Sequence, residues 1–222
     1  MKTAILFGAT GLIGNHLLDL LLKDDSYVKV KIFVRKIIKK NHPKLEIYNI
    51  NFNKLEKQSH EMTGDECFFC IGTTRKQTPN KLKYIDTELH LPKKIAKIVK
   101  ENNVNSFIYV SSGGANARSK NLYLQNKGNV ENIIIQLSFD FTAIIQPSLL
   151  LGNRSDFRLG EKIAQFIFKS FSFIFVSRLK PYKAINAITV ANAIIKIVNS
   201  NEKGIFFTSD KLEDLSKKIN LN

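Results

Sequence analysis

Tyr123 and Lys127 stand four residues apart, and a Ser111-Ser112 pair lies upstream of them. On a helix that spacing puts the phenol and the ammonium on one face. A cation beside a phenol favours the phenolate, so such a tyrosine can exchange a proton with a carbonyl or carbinol oxygen. A serine hydroxyl can hold that same oxygen, and the lysine can also bond a ribose. The chemistry open to this set is carbonyl reduction or alcohol oxidation. Tyr-x-x-x-Lys alone also arises by chance, as a surface tyrosine beside a lysine, so the residues upstream must decide.

They begin with Thr3-Ala-Ile-Leu-Phe7, an apolar run, followed by Gly8-Ala9-Thr10-Gly11-Leu12-Ile13-Gly14. This reads as a buried strand, a glycine turn and the first turn of a helix. Gly8 can take a sharp turn that a side chain would obstruct. Gly11 can bring the main chain against a diphosphate, and Gly14 lets helix and strand pack closely. The amides of Leu12, Ile13 and Gly14 have no partners within the helix and sit at its positive end, where an anion belongs. With Thr10, these residues form the expected phosphate cradle. The glycine spacing is G-x-x-G-x-x-G, not the G-x-G-x-x-G of many dehydrogenases.

The elements that must position these groups alternate along the chain. Strands are expected at Thr3–Phe7, Val28–Val34, Leu45–Ile50, Glu66–Ile71, Phe107–Ser111, Phe141–Gln146 and Ile205–Thr208. Helices are expected at Leu12–Lys23, Asn80–Asn102, Lys120–Leu137, Gly160–Ser170, Thr189–Ser200 and near the C-terminus. Short, almost wholly apolar strands alternating with helices predict an α/β fold, a doubly wound parallel sheet of Rossmann type covered on both faces. Residues 1–152 form the expected dinucleotide-binding core. Residues 153–222 are expected to be a small C-terminal substrate lobe that completes the same domain.

In such a sheet, ligands bind outside the carboxyl ends of the strands. The second strand ends at Arg35-Lys36, where an NAD site would carry an acidic residue. Arg35 offers a planar fork for a 2′-phosphate and Lys36 a point charge, so NADP(H) is the expected cofactor. An adenine can lie against Phe52, between Asn51 and Asn53. The fourth strand leads into Ile71-Gly72-Thr73-Thr74-Arg75. There Gly72 permits close passage of the cofactor, the threonine hydroxyls can bond to it, and Arg75 can reach either cofactor or substrate.

Together these motifs resemble the short-chain dehydrogenase/reductase superfamily in its atypical or extended branch, and within it the TIP30-like subgroup. The residues that carry the resemblance are Gly8–Gly14, Phe33-Val-Arg35, Cys70-Ile-Gly-Thr-Thr-Arg75, Tyr109-Val-Ser-Ser-Gly-Gly-Ala-Asn116, Tyr123-Leu-Gln-Asn-Lys-Gly128 and Gln146-Pro-Ser-Leu-Leu-Leu-Gly152. The resemblance runs from Thr3 to about Gly160. It implies Ser112, Tyr123 and Lys127 as the catalytic set, Ser112 being the second serine of the pair. It also implies cofactor contacts from Ser111 and Lys127, and from the segment Pro147, Ser148 and Leu149 beside the nicotinamide. The chain departs from the family pattern at Asn51 and Asn53, at Gln146 in place of arginine, and at Thr189 in place of aspartate. The family's relay asparagine on the helix before the fifth strand has Asp86 as its nearest match. The resemblance also leaves open a non-enzymatic NADP-binding regulator that acts through protein partners. An epimerase or dehydratase with recycled cofactor is disfavoured by the short C-terminal part.

Composition bounds the rest. The chain has 222 residues, 44% of them hydrophobic, enough for one sizeable core. Its net charge of +15 comes from basic residues spread along the whole sequence, so no dedicated nucleic-acid surface is expected. Met1-Lys2 leads straight into a strand, so no signal peptide is expected. The longest apolar stretch, Ile163–Val176, is broken by Gln165 and Lys169 and is shorter than the roughly 20 residues a membrane span needs. Its crowded phenylalanines, from Phe166 to Phe175, fit the core of the small lobe, a wall of the substrate pocket, a dimer contact or a peripheral membrane patch. The expected assembly is a monomer or homodimer. Cys67 and Cys70, three apart on a strand, face opposite sides and read as buried strand cysteines in a reducing cytoplasm.

Overall fold

The computed structural model describes residues 1–151, 184–200, 202 and 204–217. In chain order its elements are β1 (Lys2–Phe7), α1 (Leu12–Lys23), β2 (Tyr27–Val34), β3 (Leu45–Asn49), a 3-10 run (Phe52–Glu61), β4 (Glu66–Phe69), α2 (Lys81–Ile85), a π turn (Asp86–His90), α3 (Leu91–Glu101), β5 (Ser106–Val110), α4 (Leu122–Gln136), β6 (Phe141–Gln146), β7 (Leu150–Leu151), β8 (Ile185–Asn186), α5 (Ala187–Asn199), β9 (Phe206–Thr208) and α6 (Ser209–Lys217).

Seven of the strands form one parallel sheet in the order β3-β2-β1-β4-β5-β6-β9. The order reverses between β1 and β4, and a crevice opens outside the carboxyl ends there. The short β7 and β8 pair separately. Strand side chains alternate between two cores. Ala4 and Leu6 join the apolar stripe of α1 and the inner face of α5, whereas Ile5 and Phe7 join α3 and α4 on the opposite side. Because both faces are covered, every strand can be apolar along its length. The expected α/β doubly wound fold is the one observed. The two cysteines take opposite faces as their spacing predicts, with Cys67 in the second core, but Cys70 is not a buried strand cysteine: it lies just past the end of β4, half-buried against the first core.

A row of aromatic rings crosses the sheet near its carboxyl edge. Tyr48, Phe33, Phe7, Phe69 and Tyr109 occupy adjacent register positions on five neighbouring strands. Their successive centroids lie 5.0, 5.0, 6.1 and 6.0 Å apart. Spacings of this size favour ring–ring attraction beyond simple burial.

The run expected as one helix over Asn80–Asn102 is instead α2, a π turn and α3. Pro92 supplies the reason. It has no N–H to offer the Glu88 carbonyl, and its ring needs the space that carbonyl would fill in a regular helix. The turn widens, and the Leu91 amide bonds back to the Asp86 carbonyl. The expected helix at Gly160–Ser170 and the phenylalanine-rich segment lie outside the described residues.

Candidate functional site

The glycine turn sits where the strand order reverses. Gly8 has φ +88°, and a Cβ there would lie 2.7–2.8 Å from the backbone of Cys70 and Ile71. A Cβ on Gly14 would lie 2.1 Å from the Gly8 carbonyl oxygen. Only glycine at these two positions lets the first turn of α1 press onto the ends of β1 and β4. The Gly11 amide closes the turn on the Gly8 carbonyl at 2.8 Å. Gly11 is also the N-cap of α1, with no side-chain cap and no acidic residue in the first turn. The amides of Leu12, Ile13 and Gly14 therefore open toward the crevice at the positive end of the helix. A backbone cradle with no Cβ in it fits a diphosphate.

The other strand ends converge on the same crevice. Arg35 and Lys36 follow β2 and are exposed. Asn51 caps the 3-10 run that begins at Phe52 by accepting from the Asn53 amide. After β4, Thr73 and Thr78 share a hydroxyl hydrogen bond of 2.8 Å, and the Thr74 hydroxyl accepts from the Gln77 amide. The Arg75 guanidinium lies over the Tyr84 ring, 5.2 Å from its centroid.

Helix α4 carries the proton-handling pair. Asn121 caps it by accepting from the amides of Tyr123 and Leu124, which fixes the first turn on which the Tyr123 side chain stands. Lys127 is buried one turn later, with its ammonium 5.9 Å from the Tyr123 ring centroid. The ammonium also donates to the Val110 carbonyl at the end of β5, at 3.3 Å, and sits 5.0 Å from the Tyr109 ring centroid. The loop after β5 folds back onto α4. The Asn116 amide bonds to the Leu124 carbonyl, and a Cβ on Gly128 would lie 2.3 Å from the Ala117 nitrogen. The Gly113 amide bonds to the Pro147 carbonyl, which draws the end of β6 into the same place. Ser148 is held from the far side, its amide donating to the Ser209 hydroxyl.

The two serines have separate environments. Ser111 is buried, and its hydroxyl donates to Glu131. Ser112 is half-buried, and its hydroxyl donates only weakly to the neighbouring Gly113 carbonyl, at 3.3 Å.

Two buried carboxylates complete the site, and sequence reasoning found neither. Glu88, in the π turn, accepts from the Thr73 amide and forms an ion pair of 3.1 Å with Lys127. Asp86, the position expected there, is exposed. Burial alone would drive the Lys127 ammonium to shed its proton. The Tyr109 hydroxyl, the Glu88 carboxylate and Tyr123 together reverse this and hold the Lys127 pKa above its ordinary value. Glu131 follows Lys127 by four residues and accepts from Gln146 at 2.9 Å as well as from Ser111. It braces α4 against the ends of β5 and β6. Both residues had a readable signal. Glu88 continues the stripe of Tyr84, Ile95 and Val99, and Glu131 continues that of Tyr123 and Lys127.

Burial raises the Glu131 pKa, although its bonds from Ser111 and Gln146 pull the other way. A carboxyl raised on folding contributes stability that is full below its unfolded pKa and is lost as pH rises through its folded one. Both donors meet the same oxygen, so a glutamine can keep both bonds without the charge. Glu131→Gln is therefore expected to match wild-type Tm near pH 4. At pH 8 it should melt above wild type. Thermal melts across that range check the sign.

A parallel sheet with a glycine cradle at its switch point, beside a tyrosine and lysine on the helix after β5, defines an NAD(P)-binding protein of the Rossmann class. The chain belongs to the NAD(P)H-binding family, whose model matches residues 8–201, and within it to the TIP30-like proteins that its sequence resembles. It is 30% identical over 211 residues to protein HTATIP2 of Rattus norvegicus, covering 91% of this chain and 84% of that one. It is 31% identical over 173 residues to the mitochondrial protein FMP52 of Candida albicans, covering 75% of each. In fold it is similar to the UDP-N-acetylglucosamine 4-epimerase of Methanobrevibacter ruminantium M1 in complex with UDP-N-acetylmuramic acid. That likeness has a TM-score of 0.68 at 18% identity, over 93% of this chain and 76% of that one. It is also similar to the Bordetella bronchiseptica enzyme WbmH in complex with NAD+, with a TM-score of 0.69 at 17% identity, over 94% and 76%. No helix among the described residues is long and apolar enough to cross a membrane.

Proposed function

We propose that this protein is an NADP(H)-dependent oxidoreductase acting on a carbonyl or alcohol group of a small molecule. The observation that carries the proposal is the stacking of Tyr123 and Lys127 on α4, with Lys127 bonded to the end of β5 just before Ser112. Bound NADPH would supply a hydride. Gly8, Thr10, Gly11, Leu12, Ile13 and Gly14 would hold its diphosphate, and Arg35 and Lys36 its 2′-phosphate. Phe52 would border the adenine. Ile71, Gly72, Thr73, Thr74 and Ser111 would line its middle, and Lys127, Pro147, Ser148 and Leu149 its nicotinamide half.

Tyr123 then delivers a proton to the substrate oxygen, or takes one from it in the reverse direction. Ser112 orients that oxygen with a hydroxyl that no strong internal bond occupies. Ser111 is not suited to this role, since Glu131 already engages it. Lys127, held charged in a buried place, gives the phenol a fixed cation as neighbour. The cysteines are unpaired, and a reducing compartment suits them. We retain the cytoplasm as the expected location. The names of the yeast relatives include "mitochondrial", so fractionation has two compartments to compare.

The cofactor choice is tested by fluorescence titration with NADPH and NADH. Wild-type protein is expected to prefer NADPH. Arg35→Ser should weaken NADPH binding at least about tenfold, the lower end of what charge-assisted hydrogen bonds contribute, and leave NADH binding unchanged. Equal affinity of wild-type protein for both cofactors would refute the 2′-phosphate assignment. A screen of aldehydes and ketones for NADPH consumption tests the reaction. Tight NADPH binding with no turnover on any of them would favour a regulator that uses the cofactor to stabilise one conformation.

A further inference from the structure

We infer that Glu88 is the positioning residue of this site, holding Lys127 beneath Tyr123 and tying it to the Gly72–Thr73 loop on the cofactor side of the crevice. The inference rests on the oxidoreductase reading for its purpose, and on geometry for its substance. Glu88 and Lys127 are both buried, with side-chain exposures of 1% and 4%. A buried ion pair persists only where further bonds hold its members, and removing one partner leaves an uncompensated charge. One Glu88 oxygen takes the Thr73 amide and the other faces the Lys127 ammonium. A Cβ on Gly72 would lie 3.5 Å from Glu88 and 3.9 Å from Lys127, so the loop passes directly over the pair. The π turn forced by Pro92 is the local structure that carries Glu88 to this point.

The groups facing Lys127 identify Glu88 as its counter-charge. Tyr109 on β5 is buried, and burial pushes its pKa upward, so it is neutral at physiological pH. Tyr84 on α2 is pushed up to about 12, first by burial and then by Glu88. Cys70 after β4 is likewise raised to about 12 by burial. On the lysine's own helix stand Tyr123 and Glu131, and Glu131 is engaged by Ser111 and Gln146. Glu88 is the one carboxylate in contact with the ammonium among the described residues.

The test is thermal melting of the cofactor-free protein between pH 6 and pH 9. In wild-type protein the Lys127 pKa is raised, so the lysine stays protonated, folded or unfolded, throughout this range and adds no slope. In Glu88→Gln, burial is no longer opposed by a carboxylate and the folded-state pKa falls below the unfolded one. The unfolded chain then holds more protons, and stability must climb with pH. The expected Tm of Glu88→Gln is roughly 10 °C below wild type at pH 6, with the gap closing toward pH 9. Glu88→Asp, which keeps the charge, is expected to show no such slope even if its Tm is lower. Glu88→Gln combined with Lys127→Met should also lose the slope, and serves if the single variant does not fold. A deficit in Glu88→Gln that is equal at every pH, or no deficit at all, would overturn the inference. NADPH titration of wild-type protein separates it from the reading beneath it. Failure to bind NADPH would remove the cofactor assignment while leaving the slopes as they are.

Discussion

Tyr123→Phe is expected to lower kcat by roughly 10²–10⁴-fold, the range that a positioned acid or base supplies. The affinity for NADPH should change little. The substitution removes one hydroxyl and keeps the ring that stands over Lys127. It touches neither the glycine cradle nor the buried Lys127–Glu88 pair. Turnover with each carbonyl substrate found in the screen, measured beside a fluorescence titration, reads both quantities in one preparation. Full turnover in this variant would show that the proton comes from elsewhere and that the assigned chemistry is wrong. Loss of NADPH binding together with turnover would instead give Tyr123 a part in holding the cofactor.

The second large effect belongs to Gly14. An alanine there would put its Cβ 2.1 Å from the Gly8 carbonyl, a contact with backbone at the tightest turn of the fold. No side-chain rotation can relieve it, so α1 must shift off the sheet. Overpacking of this kind costs about 1–3 kcal/mol or more. In a chain of this size that lowers the Tm by roughly 2–12 °C. NADPH binding is expected to disappear with it, because the same shift displaces the amides of Leu12 and Ile13. Gly72→Ala is the control. Its Cβ would make only ordinary contacts, so the protein should melt like wild type and any effect should be confined to cofactor affinity. A Gly14→Ala protein with wild-type melting and binding would mean that the cradle is not as tight as its geometry indicates.

Much of this was legible in the residues themselves. Strands covered on both faces are mostly apolar, and β1, β2, β4, β5 and β6 stand within a residue or two of their expected bounds. The glycine turn was equally plain, because no other residue type can meet its steric demands. Less visible were elements without an apolar rhythm. The 3-10 run from Phe52 to Glu61 buries only Leu55 and is otherwise polar and charged, so it shows no stripe. The β7–β8 pair has two residues in each strand, too few for any pattern. The π turn is hidden because the apolar stripe keeps one helical period on both sides of Pro92, the residue that breaks the helix. The second proton-site carboxylate, Glu131, went unread for another reason. Helical spacing places it on the face of Tyr123 and Lys127, but only the folded chain shows that Ser111 and Gln146 meet it there. The same contact separates the two serines, which the sequence presents as near equivalents.

The aromatic row across the sheet also gives the molecule an optical character. The chain has no tryptophan, so its near-ultraviolet circular dichroism must come chiefly from tyrosine and phenylalanine. Tyr48 and Tyr109 end a row of closely spaced rings on five different strands. Such rings give a strong signal only while their mutual orientation is fixed, and the signal vanishes when tight packing is lost even if secondary structure survives. That band, to which the chain's other tyrosines and phenylalanines also contribute, therefore falls when the packing of this row is lost. For every variant above, it distinguishes a site altered in chemistry from a sheet that has slipped.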